Sequence, residues 1–239
     1  MAVTGLSVID ARDGTIGGVY PDILRGIQAK GDCAFALTLV PRARMEAMFR
    51  NGQSDLLIPA TRSPQRDASG VFVPLIHNRV TLISTRSERA PIATARELLA
   101  QSQLRVSLVR GYSFGPAYDE LVKVLQRQGR VQFESDTTAV ARRLESEPDV
   151  VTLMTPSILV GAIRADARFH ALLPTLRFEP IEEFPWGDSG AYISRRALGA
   201  VDRDQLQALL EASVQSGLVW KKFLEYYGED LRNEGIRPR

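Results

Sequence analysis

Asp55-Leu56-Leu57-Ile58-Pro59-Ala60-Thr61-Arg62-Ser63-Pro64-Gln65-Arg66 is the stretch on which the reading of this chain turns. Its first half is a short apolar run bounded by polar residues, the pattern of a buried strand. Its second half sets two hydroxyls, Thr61 and Ser63, and two guanidiniums, Arg62 and Arg66, just beyond the strand end. In open α/β sheets, ligands bind in the crevice outside the carboxyl ends of strands. A guanidinium there can grip a carboxylate through two parallel charge-assisted hydrogen bonds. The loop therefore reads as a holder for a small anion. Taken alone, it reads more simply as a surface loop whose arginines pair with nearby acids.

Working outward, the flanking residues alternate between helix and strand patterns. Asp13-Gly14 and Gly17-Gly18 mark a hairpin-like turn. Pro21 opens a helix in which Ile23, Leu24 and Ile27 share a face and which Gly31 ends. Residues 35–40 read as a strand. Residues 41–50 read as a helix with Met45, Met48 and Phe49 inward, stopped by Asn51-Gly52. With the strand at 56–58, this order argues for a mainly parallel α/β sheet.

A second alternation follows Arg79. Residues 80–84, 104–109, 131–133 and 150–153 read as strands. Between them, Thr94-Ala95-Arg96-Glu97 is a capping box for a short helix. Residues 116–128 read as a helix with Ala117, Leu121, Val124 and Leu125 on one face, closed by Gly129. Asp136 caps a helix running through Leu144, and Pro156 opens another. The segment 173–186, rich in proline and acids, reads as an irregular crossover, and 190–193 as a late strand. The tail reads as helical. Leu206, Leu209, Leu210 and Val214 form one stripe, and Trp220, Phe223, Leu224 and Tyr227 form another that suits a core better than a cofactor.

Composition narrows the function classes. The 239 residues, 44% hydrophobic and 24% charged, suit one large globular domain or two lobes with cores of their own. No run approaches the ~20 apolar residues of a membrane span. No secretory signal is visible, so the chain as given reads as mature, trimmed or cytosolic. A net charge of +2, from 30 basic and 28 acidic residues, is too balanced for a nucleic-acid surface. Cys33, the one cysteine, cannot form an intramolecular disulfide and reads as a small, partly buried thiol. His77 and His170 stand far apart, and no HxxxH or CxxC spacing occurs, so no metal and no cofactor are expected.

Four fragments in order resemble a known family. Asp13-Gly14-Thr15-Ile16-Gly17-Gly18-Val19-Tyr20-Pro21-Asp22-Ile23-Leu24 is similar to a stretch in which a "DG" turn leads through glycine into the first helix. Asn51-Gly52-Gln53-Ser54-Asp55 looks like an "x-G-x-x-D" lead into a strand, and Thr61-Arg62-Ser63-Pro64-Gln65-Arg66 like a "T-x-T-P-E-R" loop. Val109-Arg110-Gly111-Tyr112-Ser113-Phe114 looks like a "V-x-G-T-T/S-x" turn. Together they resemble the bacterial extracellular solute-binding proteins of family 3, the amino-acid-binding proteins of ABC transporters, over nearly the whole chain.

The resemblance implies an α/β, two-lobed, type II periplasmic-binding-protein fold. Each lobe would be a mainly parallel sheet flanked by helices, with a two-strand hinge. Lobe 1 would be residues 1–83 plus 188–239, and lobe 2 residues 84–187. It implies a periplasmic protein that clamps a small carboxylate-bearing solute, an organic acid or an amino acid, for ABC-type uptake. Its partners would be that anionic or zwitterionic solute and a membrane permease. It would act as a monomer, with no catalytic residue and no nucleic acid. The family's carboxylate-binding arginine carries over to Arg66 and its hydroxyl partner to Thr61. Tyr112 and Ser113 would offer backbone amides and a hydroxyl at a helix N-terminus, a place suited to an anion.

Three departures follow from the same resemblance. Many amino-acid binders place an aspartate after the strand corresponding to 150–153, where it pairs with the ligand's ammonium; here Met154-Thr155-Pro156 stands. Burying an ammonium without a counter-charge is costly, so a carboxylate without an amine becomes more attractive, with Thr155 as the contact at that place. The position of a common stacking aromatic falls at Arg42, with Arg44 nearby on either the cleft or a solvated helix face. The family's first strand would precede Asp13, where only residues 1–5 are left for it. The chain thus reads as shortened at the front, and export is implied by the resemblance alone.

Rival readings remain. Gly111-Tyr112-Ser113-Phe114-Gly115 fits the G-x-S-x-G nucleophile elbow, and Asp136, Asp149 or Asp166 with His170 would complete the order of a hydrolase triad. No Gly-rich oxyanion loop precedes it, and the region of His170 reads as the start of a strand. An enzyme on the clamp fold, such as a cyclohexadienyl dehydratase-like protein, needs an acid to protonate a leaving hydroxyl. Only Glu182, Glu183 and Asp188 are candidates. A ligand-sensing clamp for a signalling partner is a third reading.

Overall fold

A computed structural model describes residues 1–10, 14–30, 33–85, 88–228 and 235–239. Asp13 of the expected turn, and Gly31 and Asp32 at the expected helix end, lie outside the described residues. In chain order the elements begin with β1 (Ile9–Asp10), β2 (Ile16–Gly17), α1 (Val19–Gln28), α2 (Arg42–Arg50), β3 (Leu56–Thr61), α3 (Pro64–Asp67) and β4 (Gly70–Asn78). Then come β5 (Thr81–Thr85), α4 (Ala95–Ala100), β6 (Arg105–Val109), α5 (Pro116–Arg127), β7 (Val131–Glu134), α6 (Thr137–Ser146), β8 (Val150–Met154) and α7 (Pro156–Ala165). A 3-10 stretch (Ala167–Thr175) leads to β9 (Leu176–Pro180), β10 (Gly187–Ser194), α8 (Ala200–Gln215), α9 (Leu218–Tyr227) and β11 (Ile236–Arg237).

These elements form two compact units. One holds Met1–Asn78, Gly187–Asp230 and Arg237–Arg239; the other holds Arg79–Trp186 and Leu231–Ile236. The chain leaves the first unit at Asn78, ahead of the expected residue 83, because β5 pairs only with β8 and β9 of the second.

In the first unit, β10 lies between β3 and β4 and is antiparallel to both. The mainly parallel sheet expected there is therefore not what these pairings form. The reason lies at residues 35–40, which were expected to be a strand and form none. Their exposure alternates, with Phe35, Leu37 and Leu39 half-buried and Ala36 and Thr38 exposed. Their hydrogen bonds are not those of a ladder: the Phe35 N–H donates to Gln28 Oε1 at 3.2 Å, the Met1 amine donates to the Thr38 carbonyl at 2.8 Å, and the Val40 N–H donates to the Met1 carbonyl at 2.9 Å. A cavity of about 310 Å³ is lined by Phe35, Leu37, Met45, Leu56 and Ile58.

Close approach explains two glycines. A Cβ at Gly190 in β10 would stand 2.0 Å from the Val73 carbonyl oxygen, where the register with β4 shifts. Gly18 opens α1 at φ 107°, where a Cβ would meet the Leu6 carbonyl oxygen at 2.7 Å. Met45 and Phe49 of α2 are buried with Leu57, Ala60 and Tyr192, whereas Met48 is only half-buried. On the tail, Leu206 and Leu210 are buried, and the Phe223 ring meets Tyr20 edge-on at 5.7 Å and stacks on Tyr227 at 6.1 Å. Leu209, Val214, Trp220 and Leu224 of the expected stripes are half-buried.

The second unit has one five-stranded sheet in the order β7-β6-β8-β5-β9. Strands β7, β6 and β8 are parallel, and β5 is antiparallel to both its neighbours. Its core joins Leu82, Val106, Leu108, Leu121, Leu125 and Leu153. Tyr118, not Ala117, faces this core, because its ring packs against Phe114 at 5.1 Å and Phe184 at 6.2 Å. The Thr94–Glu97 capping box and the Asp136 cap form as expected.

Two differences mark this unit. Residues 167–175 are 3-10 helix rather than the start of a strand, and β9 lies inside the segment expected to be irregular. The alternation of β9 is masked because its inward residue Glu179 is an acid, 5% exposed. That carboxylate is paired with Arg89 and, at 3.2 Å, with Arg177, and it accepts the Ile92 N–H at 2.7 Å. Among the described residues no helix is long and apolar enough to cross a membrane.

Candidate functional site

Thr61 is the last residue of β3, and the loop after it turns at once into α3. Ser63 caps that turn through its Oγ, which accepts the Arg66 N–H at 3.4 Å. The Tyr192 hydroxyl, buried beneath on β10, accepts the Ser63 N–H at 2.9 Å and donates to Asp67 Oδ1 at 2.9 Å. Burial, together with the Asp67 carboxylate and against the Ser63 N–H, pushes this phenol up to about 12. Arg62 points outward and pairs with Asp67 at 3.2 Å.

Arg66 turns the other way. Its Nη1 donates to the Thr61 carbonyl at 2.6 Å and to Thr61 Oγ1 at 3.2 Å. Its Nε and Nη2 form a two-pronged pair with Glu46, at 3.2 and 2.7 Å. Glu46 lies one turn beyond Arg42 on α2, and Arg42 Nη2 reaches the same Oε1 at 3.1 Å while its Nη1 donates to the Pro59 carbonyl at 3.1 Å. The Met1 amine is held below its ordinary value by burial and then by the charge of Arg42. Arg42, Thr61 and Arg66 thus come together, gathered around a carboxylate that was not foreseen. Arg44 is exposed. The simpler reading of the loop, arginines paired with acids, describes the contacts of both Arg62 and Arg66.

In the second unit, β6 and β8 are parallel neighbours, so their carboxyl ends face one edge. The turn after β6 carries Tyr112 and Ser113. Gly111 takes φ 81° and Gly115, at φ 110°, precedes α5. Phe114 packs on the core, and Tyr112 meets it edge-on at 5.9 Å. Ser113 Oγ donates to Asp119 Oδ2 at 2.9 Å, so the turn expected to receive an anion already presents its hydroxyl to a carboxylate of its own helix. Thr155 follows β8, is 2% exposed, and its Oγ1 has no hydrogen-bond partner. It is a buried hydroxyl rather than a surface one.

Ser113 and His170 are joined by no hydrogen bond among the described residues. His170 Nε2 lies 3.2 Å from the Arg164 carbonyl, Asp136 caps α6, and Asp166 caps the 3-10 stretch and pairs with Arg168. Among the acids considered for a dehydratase, Asp188 is engaged by His77 at 2.9 Å and Arg239 at 2.6 Å, and Glu183 accepts the Ala95 N–H at 2.9 Å. Sequence reading missed Glu46, Tyr192 and Asp119. Of these, only the four-residue spacing of Arg42 and Glu46 left a visible signal.

No family model matches the sequence, and no curated protein sequence does. Solved structures are similar in fold. The arginine-, lysine-, histidine-binding protein ArtJ from Geobacillus stearothermophilus superposes with a TM-score of 0.70 at 12% identity, covering 97% of each chain. The ligand-binding core of GluR0 in complex with L-glutamate gives 0.72 at 15% identity, covering 95% of this chain and 96% of that one. A histidine kinase sensor domain with similarity to periplasmic binding proteins gives 0.70 at 16% identity, covering 95% and 94%. The chain has the two-lobed α/β fold of the periplasmic binding proteins.

Proposed function

We propose that this protein binds a small carboxylate-bearing solute, an organic acid or an amino acid, in the periplasm for ABC-type uptake. One observation carries the reading: beyond the end of β3, the guanidiniums of Arg42 and Arg66 converge on a single carboxylate. A fork with that geometry suits a solute carboxylate as well as it suits Glu46. Arg66 is the anchor, Thr61 fixes its orientation, and Arg42 adds a second positive charge. Tyr112, Ser113 and Thr155 are the proposed contacts on the second unit. The sequence Met154-Thr155-Pro156 at the end of β8 has no acid to meet an ammonium, which favours a solute whose amine is not obligatory. Similarity in fold to amino-acid-binding proteins supports a small solute, and a membrane permease is the partner this reading implies. It invokes no catalytic residue.

A thermal-shift panel of organic acids and amino acids tests it. A true solute at about one hundred times its Kd should add roughly 2.7 kcal/mol of stability. Organic acids should raise the melting temperature. A response to amino acids alone would refute the unpaired-ammonium argument, and no response to any carboxylate would refute the function. The likeness to a histidine kinase sensor domain favours one alternative, a ligand-sensing domain for a signalling partner. Solute uptake by membranes carrying a permease, dependent on added protein, would separate the two.

A further inference from the structure

We infer that Glu46 is a resident counter-ion that a solute carboxylate must displace from Arg66, and so sets how tightly the site binds. This rests on the proposal that Arg66 anchors the solute. A guanidinium has five N–H donors. At Arg66, Nη1 is committed to the Thr61 carbonyl and Oγ1, and the edge formed by Nε and Nη2 is committed to the two oxygens of Glu46. No free two-pronged edge is left. An incoming carboxylate must either move Glu46 aside or sit beside it, and two carboxylates at one fork repel.

The surroundings make the exchange feasible. Arg42 holds Glu46 Oε1 at 3.1 Å from the adjacent turn of α2, so the displaced acid keeps a cationic partner. Glu46 and Arg66 side chains are 25% and 19% exposed, which leaves them within reach of a solute while partly shielded from water. Arg42 and Arg66 against Glu46 leave one net positive charge. The group therefore attracts an anion even while its own acid is in place.

Mass-spectrometric mapping of phenylglyoxal labelling at Arg66 tests this, with acetate and succinate as the probes. In Glu46→Gln the charge is gone while the size is kept. Arg66 should label faster, and both probes should protect it at concentrations about tenfold lower than in wild type, the size of effect expected for one nearby like charge removed. Glu46→Ala, checked for native circular dichroism, should move the same way if the glutamine packs poorly. Equal protection in wild type and both variants, or weaker protection in the variants, overturns the inference. The underlying solute reading fails by a different result: a solute from the thermal-shift panel binding Arg66→Ala as tightly as wild type.

Discussion

Arg66 is tied through Nε, Nη1 and Nη2, and the direction of those ties decides what it can do. The Thr61 contacts fix the plane of the guanidinium, so little side-chain entropy is lost when a solute docks. Arg66→Ala should lower affinity for the panel-identified solute by about 2–5 kcal/mol, or roughly thirty- to several-thousand-fold. Arg66→Lys should recover only part, since an ammonium cannot reproduce the fork. Arg62→Ala should be mild, because Arg62 is exposed and turned toward Asp67. Calorimetric titration of the three variants decides, and a folded Arg66→Ala binding within threefold of wild type would remove Arg66 from the site. Thr155 makes a contrasting case. Its buried Oγ1 has no partner, so Thr155→Val should leave stability unchanged or raise it by up to about 1–3 kcal/mol. If melting temperature rises and solute affinity falls, the hydroxyl is kept for the ligand at the expense of stability. If affinity is unchanged, Thr155 makes no contact with the solute.

Elements here are closed as much by side chains as by backbone. Arg130, 8% exposed, reaches the carbonyls of Leu98, Leu99, Gln101 and Leu104, three of them at or just beyond the last turn of α4. The last carbonyls of a helix have no intrahelical partner, and a cation there also meets the negative end of the helix dipole. Burial lowers the Arg130 pKa, but the group stays charged. Arg130→Ala should therefore destabilise by at least about 3 kcal/mol, because several buried carbonyls lose a charged donor at once. Urea denaturation measures it, and a loss below about 1 kcal/mol would show that water or a shifted loop replaces the guanidinium. Tyr192 plays the matching part in the first unit, joining β10 to both ends of α3 and so setting where Arg66 begins.

Over the whole molecule, buried tyrosines link stability to alkaline pH. Burial pushes the Tyr20 and Tyr192 phenols up to about 12, and burial and then Asp119 raise Tyr118 as well. A raised phenol favours the protonated form in the folded state. Its contribution is complete below the unfolded value near 10 and is lost as pH rises through the folded value. The melting temperature should fall steadily between about pH 10 and 12. Absorbance near 295 nm should show these three phenols ionising well above pH 10. A flat melting temperature across that range, with these three titrating near pH 10, would contradict the burial of these rings.

The alternation of helix and strand signals, the capping residues Thr94 and Asp136, and the glycines around the turns are local properties of a few neighbouring positions. The sequence by itself therefore determined the two successive α/β segments and the place of Arg66 beyond β3. Pairing direction and partner choice are not local. Residues 35–40 have the composition of a strand, yet they form none; β9 looks irregular because its inward residue is the ion-paired Glu179. Glu46 lies twenty positions from Arg66 in sequence, and Tyr192 is brought beneath the same loop only by the antiparallel pairing of β10 with β3. The tertiary structure alone decided that the arginine read as a ligand anchor already holds a carboxylate, because a salt bridge depends on which side chains the packed elements bring within 3 Å, and no short-range pattern records that distance.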